Sequence, residues 1–432
     1  MAGLLETRFG IEAQGSTVRR EVMAGVTTFL AMAYITVVNP AILSEAGMDF
    51  GAVFVATCLA AAIGTAVMGL YANYPVAQAP GMGQNAFFTY GIVLGMGYAW
   101  QTALGAVLIS GIIFIALSVL PVREWLINAI PRSLKLGISA GIGLFLGIIA
   151  LTGSDIIVRD PATLVSLGDL AALPATLLLV GFVVIAALSA RRITGAVVIG
   201  MLLVTVLGWA TGAAEFQGVV SAPPSLTTFL SLDLAGAFDL SMVTVVLTLL
   251  LVDVFDTAGT LVGVANRAGM LDENGHLPRL RKALLADSSA TAIGALLGTS
   301  STTSYIESAA GVEAGGRTGL ASVTTALLFL LCLFIAPLAQ SIPAFATGAA
   351  LLFVACIMAR ALEDLDWANV TEATPAVVTA LAVPLSYSIA DGIGLGFITY
   401  AAIKLVSGHG RECPAAVYVV AAIFVLKFAF LG

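Results

Sequence analysis

Asp253 and Asp256 sit near the middle of residues 247–265, LTLLLVDVFDTAGTLVGVA, a stretch apolar enough to cross a membrane. Three residues apart on a helix, two carboxylates share one face. A carboxylate at bilayer depth costs at least ~2.5 kcal/mol, so it persists where a cavity, a partner or a function holds it. The plain alternative is a helix cap or a pair satisfied inside the bundle. A carboxyl group in a low-dielectric pocket can take up a proton near neutral pH, and protonation turns an acceptor into a donor. The chemistry on offer is proton-linked recognition of a polar ligand. Asp253, Asp256 and Glu307 are the candidates to carry the proton.

Glu307 belongs to a second polar group. Residues 74–91, YPVAQAPGMGQNAFFTYG, contain Pro75 and Pro80, which cannot sit inside a regular helix. Residues 76–79 can run extended, and a helix starts near Gly81 or Met82. Residues 298–311 repeat the theme: a Ser/Thr run, then a helix starting near Tyr305. Two half-helices then point their N-termini, with exposed N–H groups and positive dipole ends, at one central space. Irregular backbone at that depth is tolerated only when buried or lining a cavity. Asn85 lies just inside the first half-helix and Glu307 at the matching place in the second. As isolated residues they read as a helix-start cap and a dipole-complementing acid. With two aspartates aimed at the same space, the binding reading gains. Tyr305, Phe87 and Phe88 could form an aromatic wall, although plain packing is their default. Gly81-Met-Gly83-Gln-Asn-Ala86 fits a dinucleotide fingerprint, but no βαβ unit surrounds it and no acid follows about 20 residues on.

Composition sets the medium. The 432 residues are 59% hydrophobic and 10% charged, with a mean hydropathy of +1.05. A soluble domain carries about 25% charged residues, so the outer surface faces lipid. A formal net charge of -7 argues against nucleic acid as a partner. Cys58, Cys332, Cys356 and Cys413 form no paired motif, and His276 and His409 no metal cluster. The N-terminus lacks an apolar h-region, so no cleaved signal peptide is expected.

Apolar segments of spanning length follow one another. Seven are expected near 22–43, 51–71, 83–94, 99–120, 134–151, 174–190 and 194–211. Seven more are expected near 240–265, 283–297, 305–312, 319–338, 344–361, 375–388 and 392–406, with a last apolar stretch at 414–431. With the N-terminus inside and strict alternation, 16 of the 18 Lys and Arg residues fall inside, Arg123, Arg191 and Arg192 among them as inner-surface anchors; Arg159 and Lys427 are the exceptions. The sets also resemble each other. Ala129-Ile-Pro131 and Ser341-Ile-Pro343 each open an apolar helix, and Pro174 and Pro375 each open a hairpin. An odd number per set turns the second upside down. An inverted repeat is a transporter signature, with substrate at the midplane.

The stretches VDVFDTAGTLVGVA and ALLADSSATAIGALLGTSSTTSYIESAAGVEAGGRTGL resemble the AzgA-like adenine/guanine/hypoxanthine permeases, a branch of the nucleobase–cation symporters. So do RREVMAGVTTFLAMAYITVVNPAIL and NYPVAQAPGMGQNAFF, and the likeness runs over nearly the whole chain. The resemblance implies an all-α polytopic membrane protein of about fourteen segments as two inverted sevens. A core domain would comprise 1–120 and 240–340, and a gate domain 121–239 and 341–432. Short strands in the third and tenth segments would fall near 76–79 and 300–303. The family's site residues carry over to Asn85, Asp253, Asp256 and Glu307. Tyr305-Ile306-Glu307 matches a Tyr-x-Glu of the related uracil branch. Thr260 stands where that branch has a histidine, so its histidine-based coupling does not carry over. Residues 414–431 exceed the fourteen.

The expected function is import of adenine, guanine and/or hypoxanthine with protons, across the plasma (bacterial inner) membrane. Asp256 and Glu307 would contact the base, and Asp253 would contact it or carry the proton. The chain is expected to be no enzyme and to need no cofactor. Its expected partners are a purine base, the bilayer and a second copy through the gate domain. An anion transporter of the same architecture would want a base at midplane depth, and none is visible. A membrane aspartyl protease would need its carboxylates facing each other, not along one helix face.

Overall fold

The computed structural model describes residues 2–120, 130–272 and 277–430. Arg123, Ala129, His276 and Leu431, used in the charge, repeat, metal and segment readings, lie outside the described residues. Nine helices among the described residues are long and apolar enough to cross a membrane, from Val18–Glu45 to Ile389–Val406. Ala196–Ala210, Val370–Ser386 and Ala415–Phe430 are shorter apolar helices. Leu280–Leu297 is of spanning length but more polar, carrying Arg281, Lys282 and Asp287. Two interrupted segments, 78–95 and 302–313, complete two sets of seven, with Ala415–Phe430 left over.

Local chemistry sets the boundaries. Asp49 accepts from the Ala52 amide at 2.8 Å and starts Phe50–Val67. The Glu21 carboxylate reaches across from Val18–Met32 to accept from the amides of Arg317 and Thr318 at 2.9 and 3.1 Å, capping Gly319–Cys332 from another helix. The same two helices approach closely because Gly25 has no side chain; a Cβ there would lie 2.4 Å from the Ala321 carbonyl. The first crossing is two helices, Val18–Met32 and Ile35–Glu45, rather than the single one expected. At the break, Thr36 Oγ1 donates to the Ala33 carbonyl at 2.8 Å, a local bond that competes with the helix ladder.

The strands Gln78–Pro80 and Thr302–Ser304 pair antiparallel, with Gln78 opposite Ser304 and Pro80 opposite Thr302. Antiparallel pairing is what a two-fold axis in the membrane plane demands of equivalent strands. Both strands start two residues later than expected. Tyr74 and Val76 lend their carbonyls to the Ser322 hydroxyl, and the Ala77 amide donates to Ser308 Oγ, so hydroxyls serve most of that stretch and one backbone bond, from the Tyr305 amide to the Ala77 carbonyl, the rest. A hairpin, Ile157–Asp160 with Leu164–Leu167, has no counterpart among the expected elements; its β-branched residues flank the turn at Asp160-Pro161.

Arg132–Thr152 packs on Ala344–Ala359 and Val370–Ser386, and Ile389–Val406 on Val370–Ser386. Ala415–Phe430 runs antiparallel along Ile389–Val406. Lys427 pairs with Asp391 at one end, and Tyr418 donates to the Gly410 carbonyl at the other. Thr152 meets Tyr387 near the Asp391 end, while Ser133, Glu372 and Lys404 meet at the opposite end. The hairpin bearing Arg159 follows Thr152. Both bases that break the charge rule thus lie at the same end of the bundle.

Candidate functional site

Every backbone group of the strand pair needs a partner, because no water reaches it. The two ladders extend by one bond at each end, from the Gly81 amide to Ser301 and from the Tyr305 amide to Ala77, both at 2.9 Å. Hydroxyls serve the outer edges. Thr65 both accepts from the Gln78 amide and donates to its carbonyl. Thr291 donates to the Thr302 carbonyl, and the Tyr305 hydroxyl to that of Pro80 at 2.5 Å. The run of Ser and Thr is therefore the bracing of an isolated sheet. Tyr305 belongs to that bracing.

From this brace the half-helices depart. Gly81, extended at φ -75° and ψ 128°, precedes Met82–Ala86, which widens into a looser winding over Phe87–Gly95. Gly81 is not needed for a left-handed turn. A Cβ there would lie 2.0 Å from Gln84 Oε1, so space decides. At Gly83 a Cβ would lie 2.6 Å from Ile142 Cγ2 on Arg132–Thr152, so this glycine serves helix packing rather than a turn beside a ligand. Asn85 is fully buried, accepts from the Ser300 hydroxyl, and leaves its Nδ2 without a partner among the described residues. Phe87 is also buried, inside the main apolar core. The second half-helix, Ser308–Glu313, begins three residues later than expected, which puts Glu307 at its cap. There Tyr34, at the break in the first crossing, donates to Glu307 Oε1 at 2.5 Å.

The long helix Met242–Ala268 runs past both. Its two aspartates have different surroundings, although they share a face in the wide sense. Three residues turn a helix by about 300°, leaving them about 60° apart. Asp253 is wholly buried: its Oδ2 lies 2.8 Å from Thr291 Oγ1, whose one proton it shares with the Thr302 carbonyl, and its Oδ1 has no partner among the described residues. Asp256 is exposed midway along a 27-residue helix. Beside it, a methyl on Gly259 would meet nothing within 4 Å, and one on Gly263 only Ile306. Asp256, Gly259, Val262 and Asn266 form an open stripe toward the Arg267 end, while residues 248–254 are all buried. Glu307 is half-exposed. Asp256 and Glu307 are thus the acids open to space, and Asp253 lies behind them.

Asp287 is a fourth acid in this region and was not anticipated. It accepts from Gln78 Nε2 at 2.9 Å, Ser304 Oγ at 2.7 Å and Thr257 Oγ1 at 2.7 Å, tying both strands to the long helix. The signal was the one used for Asp253, an acid in an apolar run, here in LRKALLADSSATAIGALL. No base pairs with any of the four acids among the described residues.

The inverted repeat, the crossed half-helices and the acid-lined space define a multi-pass membrane transporter with core and gate, not an enzyme. The transmembrane domain of a cyanobacterial bicarbonate transporter, BicA, has the same fold, with a TM-score of 0.65 at 16% identity over 86% of this chain and 96% of that one. Murine Slc26a9, an anion transporter solved in the inward-facing state, matches with a TM-score of 0.64 at 12% identity over 90% and 68%. The chain belongs to the Permease family, whose pattern matches residues 19–395. The adenine permease AdeP of Escherichia coli is 47% identical over 430 residues, 99% of this chain and 97% of that protein. The guanine/hypoxanthine permease PbuG of Bacillus subtilis is 46% identical over 440 residues, 99% and 100%.

Proposed function

We propose that this permease carries purine bases across the plasma membrane together with protons. The names of its relatives support the substrate class. The observation that carries the reading is Asp256, set midway along a membrane helix yet open to space that Gly259 leaves empty. A purine is flat, neutral and edged with donors and acceptors. Asp256 and Glu307 would meet its donors, and the unpaired Asn85 Nδ2 would meet an acceptor. A protonated carboxyl donates where a carboxylate accepts, so base affinity depends on the proton, which is the coupling that symport needs. Asp253, with its unpartnered oxygen, would carry the proton behind the base.

In this reading 1–120 and 240–340 form the moving core, and 121–239 and 341–432 the gate. The stripe from Asp256 to Asn266 is the inward path, the N-terminus is cytoplasmic, and two copies associate through the gate. Cross-linking in native membranes tests the last point. The fold neighbours' titles name bicarbonate and anion transporters, but acids that no base pairs with among the described residues disfavour an anion here. Uptake of labelled adenine and guanine into proteoliposomes, competed with hypoxanthine, xanthine, uracil, bicarbonate and sulfate, separates the readings. Uptake blocked by sulfate and indifferent to purines would sink the purine reading.

A further inference from the structure

A groove of about 370 Å³ lies away from the transport site, between the N-terminal helix Ala2–Phe9 and the second crossing. It is shallow and open, lined by Arg8, Ile63, Ala66, Val67, Leu70 and Tyr71. The last five positions recur at helical spacing, so they form a single apolar stripe about 12 Å long. That is close to the depth of one leaflet's hydrocarbon, about 15 Å. The stripe ends at Tyr71, in the last turn of Phe50–Ala72, where an aromatic ring marks the membrane–water boundary. Lys282, from the start of Leu280–Leu297, sits 5.5 Å above the Tyr71 ring. Arg8 and Lys282 are both exposed, and neither has an acidic partner among the described residues. Two cations from distant parts of the chain thus stand at this stripe, Arg8 on its lining and Lys282 over its last ring.

We infer that this groove binds one anionic phospholipid. Its acyl chain lies along Ile63, Ala66, Val67 and Leu70, and its phosphate sits between Arg8 and Lys282 beside Tyr71. The stripe suits any acyl chain; the paired cations select a net negative head group. Each base near an anionic lipid surface contributes about fivefold in affinity, so two contribute roughly 25-fold.

The test uses the purified full chain in neutral detergent. Dioleoyl phosphatidylglycerol and dioleoyl phosphatidylcholine are added in turn, with inorganic phosphate as a third arm. Retained lipid is read by native mass spectrometry. The wild type should retain phosphatidylglycerol over phosphatidylcholine by roughly 5- to 25-fold. Arg8→Gln with Lys282→Gln should bring that ratio close to one, and Arg8→Lys should keep most of it. Ala66→Phe, which fills the groove and leaves both cations, should reduce retention of phosphatidylglycerol. Equal retention of the two lipids by the wild type would overturn the inference. So would an unchanged preference in the double variant, or displacement of phosphatidylglycerol by inorganic phosphate at equal concentration.

Discussion

The molecule buries acids in two ways. Around the strand pair, Asp253, Asp287 and Glu307 are held by hydroxyls, one amide and one phenol, and Asp256 stands open beside them. Among the helices on the other side, Glu372 accepts from Lys404 at 2.9 Å, Tyr400 at 2.8 Å and Ser133 at 2.5 Å, and Lys404 also reaches Glu412. An acid paired with lysine has its charge fixed, and its neighbours are locked in register. An acid held by hydroxyls can change protonation or accept a ligand without leaving a cation stranded. In the proposed cycle the first arrangement serves as scaffolding and the second as the working surface. The contrast also separates the moving from the static half of the proposed cycle.

Breaking the scaffold should have the largest effect on stability. Lys404→Met strands Glu372 and should cost about 2–3 kcal/mol, below the usual range for buried pairs because Glu372 keeps some contact with water. The thermal midpoint in detergent should fall by several degrees, and the double variant Lys404→Met with Glu372→Gln should recover part of it. A midpoint unchanged in the single variant would make the pair ornamental. In the working surface the loss should fall on binding instead. Asp256→Asn and Glu307→Gln each remove a charge-assisted bond of about 1.5–3 kcal/mol, or roughly 10- to 150-fold in purine affinity. Their thermal midpoints should stay near wild type, and unaltered affinity in both would remove these acids from the site.

Two substitutions sharpen the contrast. Gly83→Val overpacks against Ile142 and should cost about 1–3 kcal/mol, with uptake lost and partly restored by Ile142→Ala. If Ile142→Ala restores nothing, that contact is not the cause. Tyr34→Phe removes one hydrogen bond to Glu307, worth about 0.5–1.5 kcal/mol, and should weaken purine binding by roughly 2- to 10-fold. The subtlest case is Asp253→Asn. Binding and counterflow should persist while proton-driven accumulation fails; intact accumulation would pass the proton role to Asp287 or another acid.

The sequence showed the two interrupted segments because prolines and a Ser/Thr run cannot continue a membrane helix. It did not show where pairing begins, since the Val76 carbonyl and the Ala77 amide bond to serine hydroxyls and only the Ala77 carbonyl meets the opposite backbone. Asp253 and Asp256 read as a pair because periodicity reports spacing, whereas a 60° divergence matters only once a neighbour such as Thr291 fills one side. Asp287 escaped because its segment starts with Arg281 and Lys282, which made its charge look like part of the interface. Tyr34 was invisible as a partner of Glu307, being 273 residues away in the chain. Gly259, a silent residue in any polarity scan, makes the empty space beside Asp256.

Helix Ala415–Phe430 has a consequence for handling the molecule. Antiparallel to its neighbour and pinned at both ends, it stands beyond the two sets of seven, and we propose that it crosses the membrane as a fifteenth traverse. An odd number of traverses separates the two ends of the chain by the full width of the membrane. A peptide tag placed before Ala2 and one placed after Phe430 would face different compartments. With the N-terminus cytoplasmic, as proposed, a protease added to sealed right-side-out vesicles should trim the second and leave the first. Deleting 415–430 would return both tags to the same side and strip Asp391 of its lysine.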